Sequence, residues 1–188
     1  MTKILFINAC ARKESRTKIL ADYLLRKLNG EIKEVDLPKC NLKPLDEATL
    51  IERATLIAQG KFEDEMFNFA KDFATADIIV VAAPYWDFSF PSYLKLYIEH
   101  INVINLVFAY SDAGEIISKC RAKKLYYVTT KGGYNPDDYG YGYIKALADE
   151  LYGIDDTYLI AAEGLDIIGN NVENILNKAK AEIDEIIE

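Results

Sequence analysis

The residues best suited to chemistry fall in three short segments, each following a strand-like run. The first is Asn8-Ala9-Cys10-Ala11-Arg12-Lys13-Glu14-Ser15-Arg16-Thr17. It leads into a helical pattern, so unpaired N–H groups and the positive end of a helix dipole face whatever lies before it. With the hydroxyls of Ser15 and Thr17 and the charges of Arg12, Lys13 and Arg16, this end suits a monophosphate. The same residues also read as a helix cap beside solvated cations. The segment lacks the glycines of GxxxxGK[ST] and GxGxxG, so neither a triphosphate loop nor a dinucleotide fingerprint is expected.

The second segment, Ala83-Pro84-Tyr85-Trp86-Asp87-Phe88-Ser89-Phe90-Pro91, places four aromatics in one loop stiffened by two prolines. Such a wall suits a flat ring, because aromatic pairs add ~0.5–1.5 kcal/mol beyond the area they bury; a core plug or a subunit contact is the plainer alternative. The third, Thr129-Thr130-Lys131-Gly132-Gly133-Tyr134, joins adjacent glycines, which let backbone amides approach a ligand closely, to one cation. Taken alone it also reads as an ordinary turn. Together the three describe a site with a phosphate at one end and a planar heteroaromatic at the other.

The elements between them read as alternating strands and helices. Strand-like segments at Ile4–Ile7, Ile32–Val35, Ile78–Ala83, Leu125–Thr129 and Thr157–Ala161 predict five strands. Helices are expected from Thr17 to Leu28, over Glu47–Gln59, Phe62–Phe73, Pro91–Ile101 and Tyr143–Leu151, and from Val172 to the C-terminal end. That pattern implies an α/β, three-layer sandwich on a five-stranded parallel sheet. The order 2-1-3-4-5 or a small Rossmann-type sheet fits, with ligands outside the carboxyl ends of the strands. The 188 residues suit a single domain over 1–188.

Composition narrows the partners. Basic residues number 22 and acidic ones 30, a net charge of −8, which disfavours nucleic acid and anionic membrane. The longest apolar run, Ile78–Trp86, is too short to span a bilayer, and no signal peptide is visible. Three separated cysteines and one histidine, His100, argue against a disulfide framework and a metal site, so a reduced, cytoplasmic chain is expected. His100 is expected to be packed rather than catalytic, and Cys10 to be a spectator thiol. Leu106–Tyr110 suggests a hairpin, and Tyr139–Tyr143 a rim or lid.

In order and spacing these segments resemble the FMN-dependent NADH azoreductase and NAD(P)H quinone oxidoreductase family of flavodoxin-like proteins. The Ser-x-Thr helix start, Ala83–Phe88 with Pro91 and Lys95, Thr130-Lys131-Gly132-Gly133 and Ala162-Glu163-Gly164 carry the resemblance. It implies a homodimer with one FMN per subunit at the interface, NADH or NADPH as co-substrate, and quinones or azo compounds as small aromatic acceptors. By position, Cys10, Ser15, Arg16 and Thr17 would lie around the phosphate. Pro84, Tyr85, Trp86, Asp87 and Phe88 would frame the isoalloxazine, and Thr130, Lys131, Gly132 and Gly133 would meet its pyrimidine end. Lys131 would stabilise negative charge on the reduced ring.

In lacking a second small hydroxyl residue near Cys10, and at two further positions, the chain departs from the family. Asp87 stands where it has asparagine, exchanging an amide donor for an acceptor-only carboxylate. Lys131 stands where it has arginine, keeping charge but not the planar fork. No covalent nucleophile or metal is expected, because the flavin carries the electron chemistry. The competing readings are a flavodoxin-type electron carrier, a non-catalytic flavin-binding protein and, more weakly, a nucleotide hydrolase, for which no paired carboxylates appear at the ligand edge.

Overall fold

The computed structural model describes residues 1–135 and 139–187. Alternation of side chains along each strand builds two cores, one on either face of the sheet. From β1 (Lys3–Asn8), β3 (Ile78–Ala82) and β6 (Lys124–Thr130), the side chains of Leu5, Ile7, Ile79, Val81, Leu125 and Tyr127 point to one layer. That layer holds α3 (Asn68–Thr75), α4 (Ser92–Ile101) and α5 (Tyr141–Leu147). Ile4, Phe6, Val80, Tyr126 and Val128 point the other way, onto Leu20 and Leu24 of α1 (Arg16–Lys27) and Ala179 and Ile183 of α6 (Val172–Ile187). Burial on both faces is why these strands read as unbroken apolar runs.

The sheet is parallel, in the order β2-β1-β3-β6-β7, with β2 at Glu31–Asp36 and β7 at Asp156–Ala162. Setting aside a small hairpin of β4 (Phe108–Tyr110) and β5 (Ile116–Ser118), this is the flavodoxin-like 2-1-3-4-5 order. The register aligns Asn8 with Ala82, Ala82 with Val128 and Thr130 with Ala162. The segments after β1, β3, β6 and β7 therefore emerge at one edge, where the strand order reverses between β1 and β3.

Local differences from the sequence reading have identifiable causes. The helix expected over Phe62–Phe73 begins instead as a 3₁₀ turn at Glu65–Phe67, because the Asp64 carboxylate accepts from the Met66 amide and caps there; α3 follows. The helix expected over Tyr143–Leu151 starts earlier, and it widens to a π-type turn at Ala148–Tyr152 that Gly153 closes at φ +60°. Glu47–Ala58 forms α2 as expected, although none of its residues is fully buried.

Two tyrosines in the first core make a contrast. Tyr97 is fully buried and its hydroxyl has no hydrogen-bond partner among the described residues, whereas the Tyr152 hydroxyl donates to Asn102 Oδ1 at 2.8 Å. Burial pushes both phenols well above their ordinary pKa. An unsatisfied buried hydroxyl costs about 1–3 kcal/mol, so Tyr97→Phe is expected to stabilise the chain by roughly 1 kcal/mol and Tyr152→Phe to destabilise it by a similar amount. Paired denaturant titrations check this; equal signs for the two variants contradict it.

Candidate functional site

At the carboxyl edge the ladder continues past the strands and places the loops. Ala9 N donates to Ala82 O, Ala83 N to Val128 O and Tyr85 N to Thr130 O, at 2.9, 3.0 and 3.1 Å. The Asn8 side chain turns the first loop, accepting from Cys10 N at 3.0 Å while its amide donates to Glu34 Oε1. Between these loops opens a crevice of about 340 Å³, within the range of small-molecule sites.

One end of the crevice is the start of α1. Ser15 is its N-cap, with extended φ/ψ, and its Oγ accepts from Lys18 N at 3.3 Å. The first backbone amide paired within the helix is that of Ile19, donating to Ser15 O, so the amides of Arg16 and Thr17 lie at the helix mouth. Thr17 is fully buried, and its hydroxyl shares a 2.7 Å hydrogen bond with Thr130 Oγ1, joining α1 to the end of β6. Arg12, Glu14 and Arg16 complete this end.

Pro84, Tyr85 and Trp86 form another wall. Trp86 and Ser89 exchange backbone hydrogen bonds of 3.1 and 2.8 Å across a two-residue turn, Asp87-Phe88. Both turn residues are left-handed, at φ +50° and +66°, and both are exposed. Aspartate tolerates that region; for phenylalanine it is an outlier, of the kind held at roughly 1–3 kcal/mol in functional loops.

The third wall is Thr130, Lys131 and Gly132, braced by the segment after β7. Lys131 N donates to Ala162 O, and the amides of Gly164, Leu165 and Asp166 donate to the carbonyls of Gly133, Lys131 and Gly132. The Lys131 side chain is almost wholly buried: its ammonium lies 2.8 Å from Glu163 Oε1 and 4.8 Å from the centre of the Tyr85 ring. Asp166 reaches back across the crevice to Arg16, 2.8 Å away, while Arg16 also donates to Leu165 O.

Of the residues singled out in the sequence, Ser15, Arg16, Thr17, Pro84, Tyr85, Trp86, Thr130, Lys131 and Gly132 border one crevice, whereas Cys10, Asp87, Phe88 and Gly133 do not line it. Leu165 and Asp166 were missed. The signal for them was the glycine two residues past a strand end, Gly164, which turns the chain at φ +76° back across the mouth. His100 lies in the last turn of α4 with Nε2 2.8 Å from Lys43 O, away from the crevice lining.

Cys10 lies beneath the first loop, its thiol 3.7 Å from Ala82 O. Desolvation raises its pKa to about 11, against the opposing effects of Ser15 and Lys18, and burial raises that of Cys120 to about 12. Since the thiolate is the reactive species, both thiols are expected to be inert toward a thiolate-selective reagent at pH 8, leaving the half-buried Cys40 to react first. Counting rapidly modified thiols before and after unfolding checks this; two or three fast thiols in the folded chain contradict it.

Comparison with known proteins agrees with the fold. The sequence matches the family described as Flavodoxin-like fold over residues 2–187. The chain belongs to that family. Among curated relatives, the FMN-dependent NADH:quinone oxidoreductase 2 of Clostridium acetobutylicum is 35% identical over 202 aligned positions, covering 98% of this chain and 100% of that protein. An FMN-dependent NADH:quinone oxidoreductase of Clostridium perfringens is 32% identical, covering 92% of this chain and 91% of the relative. Two Bacillus anthracis structures share the fold. An azoreductase superposes with a TM-score of 0.82 at 21% identity, covering 100% and 99% of the two chains. An FMN-dependent NADH-azoreductase in complex with FMN gives 0.79 at 23%, covering 100% and 98%.

Proposed function

We propose that this flavodoxin-like protein is an FMN-dependent NAD(P)H oxidoreductase that reduces quinones, azo compounds or both. The observation that carries the reading is the crevice at the strand-order reversal. A helix mouth with two hydroxyls and two arginines forms one end, and an aromatic wall backed by a buried lysine the other. These residues fit a phosphorylated heteroaromatic: the helix amides match a phosphate, and the Tyr85–Trp86 wall matches a ring. When bound there, FMN would supply two-electron ping-pong chemistry, taking hydride from NADH or NADPH and passing it on to a quinone or azo acceptor.

In this reading Ser15, Arg16 and Thr17 surround the phosphate, with Cys10 beneath their loop. Pro84, Tyr85 and Trp86 hold the ring, and Thr130, Lys131 and Gly132 its pyrimidine end. Asp87, Phe88 and Gly133, outside the crevice lining, take no direct part. Residues 1–188 act as one unit and pair as a homodimer with the flavin sites at the interface. Exposed apolar side chains at Phe88, Tyr110, Ile116 and Ile117 support that pairing. Among the described residues, no helix is long and apolar enough to cross a membrane.

The test is the visible spectrum of the purified protein with FMN, taken before and after anaerobic NADH, followed by addition of a quinone. The expected result is bleaching by NADH and many turnovers with quinone. Stoichiometric reduction without turnover would mark an electron carrier, and a protein that takes up no FMN would end the proposal.

A further inference from the structure

The Lys131–Glu163 pair joins the carboxyl ends of β6 and β7, directly behind the Tyr85 ring. Lys131 lines the crevice, but Glu163, although 2.8 Å from its ammonium, does not. The lysine is nearly sealed from water, whereas the Glu163 side chain is 31% exposed. Lys131 is further fixed by the Asn135 carbonyl, 3.4 Å away, and by the face of Tyr85. In such a setting the charge of an ammonium is not screened by solvent, and the Glu163 carboxylate it touches offsets part of it.

We infer that Glu163 is a positioning residue that holds Lys131 against Tyr85 and offsets its charge, and so sets how strongly the crevice prefers reduced over oxidised FMN. The inference rests on the FMN reading and extends it to a residue that does not border the ligand. Reduction adds electron density to the ring, and a nearby cation stabilises it; a carboxylate behind that cation subtracts from the effect. Removing only the negative charge therefore strengthens the preference, and removing only the positive charge weakens it.

Glu163→Gln retains an oxygen acceptor for Lys131 Nζ and loses the charge. The expected result is an increase of about tenfold in the ratio of Kd for oxidised FMN to Kd for reduced FMN, equivalent to a midpoint potential higher by about 30 mV for a two-electron couple. Lys131→Met is expected to move the ratio in the opposite direction, and the double variant to return it toward the parent value. The measurements are fluorescence titrations with oxidised FMN and potentiometry of the bound cofactor, with a melting curve of each variant without FMN as a control. A purely structural role would lower the melting temperature without separating the two ratios. If Lys131→Met fails to fold, Glu163→Gln decides alone. A change under twofold in Glu163→Gln, or shifts of the same sign in both variants, overturns the inference while leaving FMN binding intact. Failure of the parent protein to take up FMN removes the functional proposal itself, and this inference with it.

Discussion

Replacing Ser15 and Thr17 together by alanine is expected to raise the Kd for FMN by a factor of roughly 10² to 10⁴ while leaving a folded protein. A hydrogen bond to a charged group contributes about 1.5–3 kcal/mol, and two such losses span that range. The structure adds a second consequence. Ser15 caps α1 through the Lys18 amide, and Thr17 is tied to Thr130, so the double variant also loses stability without ligand. Cap loss costs about 1 kcal/mol, and denaturant titration of the FMN-free protein measures it separately from affinity. Thr17→Ser, which keeps the hydroxyl, is expected to recover most of that residue's share. A Kd within threefold of the parent would place the phosphate elsewhere.

Gly164→Ala is expected to destabilise the protein by roughly 2–4 kcal/mol, combining left-handed backbone strain with overpacking. Gly164 has φ +76°, and a Cβ there would lie 2.7 Å from Tyr134 Cζ and 2.8 Å from Asn170 Nδ2. Tyr134 is exposed and can swing away. Asn170 is less free, because the same nitrogen donates to Gly164 O at 2.7 Å and the swing breaks that bond. The fall in Tm should be roughly 5–15 °C. Weaker FMN binding should accompany it, since this segment braces the carbonyls of Lys131, Gly132 and Gly133. An unchanged Tm would mean that the turn relaxes to negative φ.

The sheet was legible in the sequence because Ile4–Ile7, Ile78–Ala83 and Leu125–Thr129 are buried on both faces and leave uninterrupted apolar runs. Three-residue strands leave no period to detect, which is why Ile116–Ser118 escaped notice although a hairpin was expected around Leu106–Tyr110. The three loops were legible because each follows a strand and carries a composition unlike its neighbours. The contacts that organise them were not: Arg16 with Asp166, Thr17 with Thr130 and Lys131 with Glu163 link positions 150, 113 and 32 residues apart, so only the folded register brings them together. A hydroxyl such as that of Thr17 reads alike in sequence whether it faces a ligand or a neighbouring strand. The left-handed pair Asp87-Phe88 was hidden for another reason, since neither residue is a glycine.

The two margins of the sheet bear on how copies of this protein could associate. β2 presents Glu31, Lys33 and Glu34 to solvent beside Ile32, with Lys33 clamped to Asp72 at 2.6 Å, whereas β7 carries a single charge, Asp156 at its start, and an exposed Leu159. The charged β2 border discourages strand-by-strand extension and the fibrous assemblies it seeds. A strand added to this sheet would therefore meet less resistance along β7.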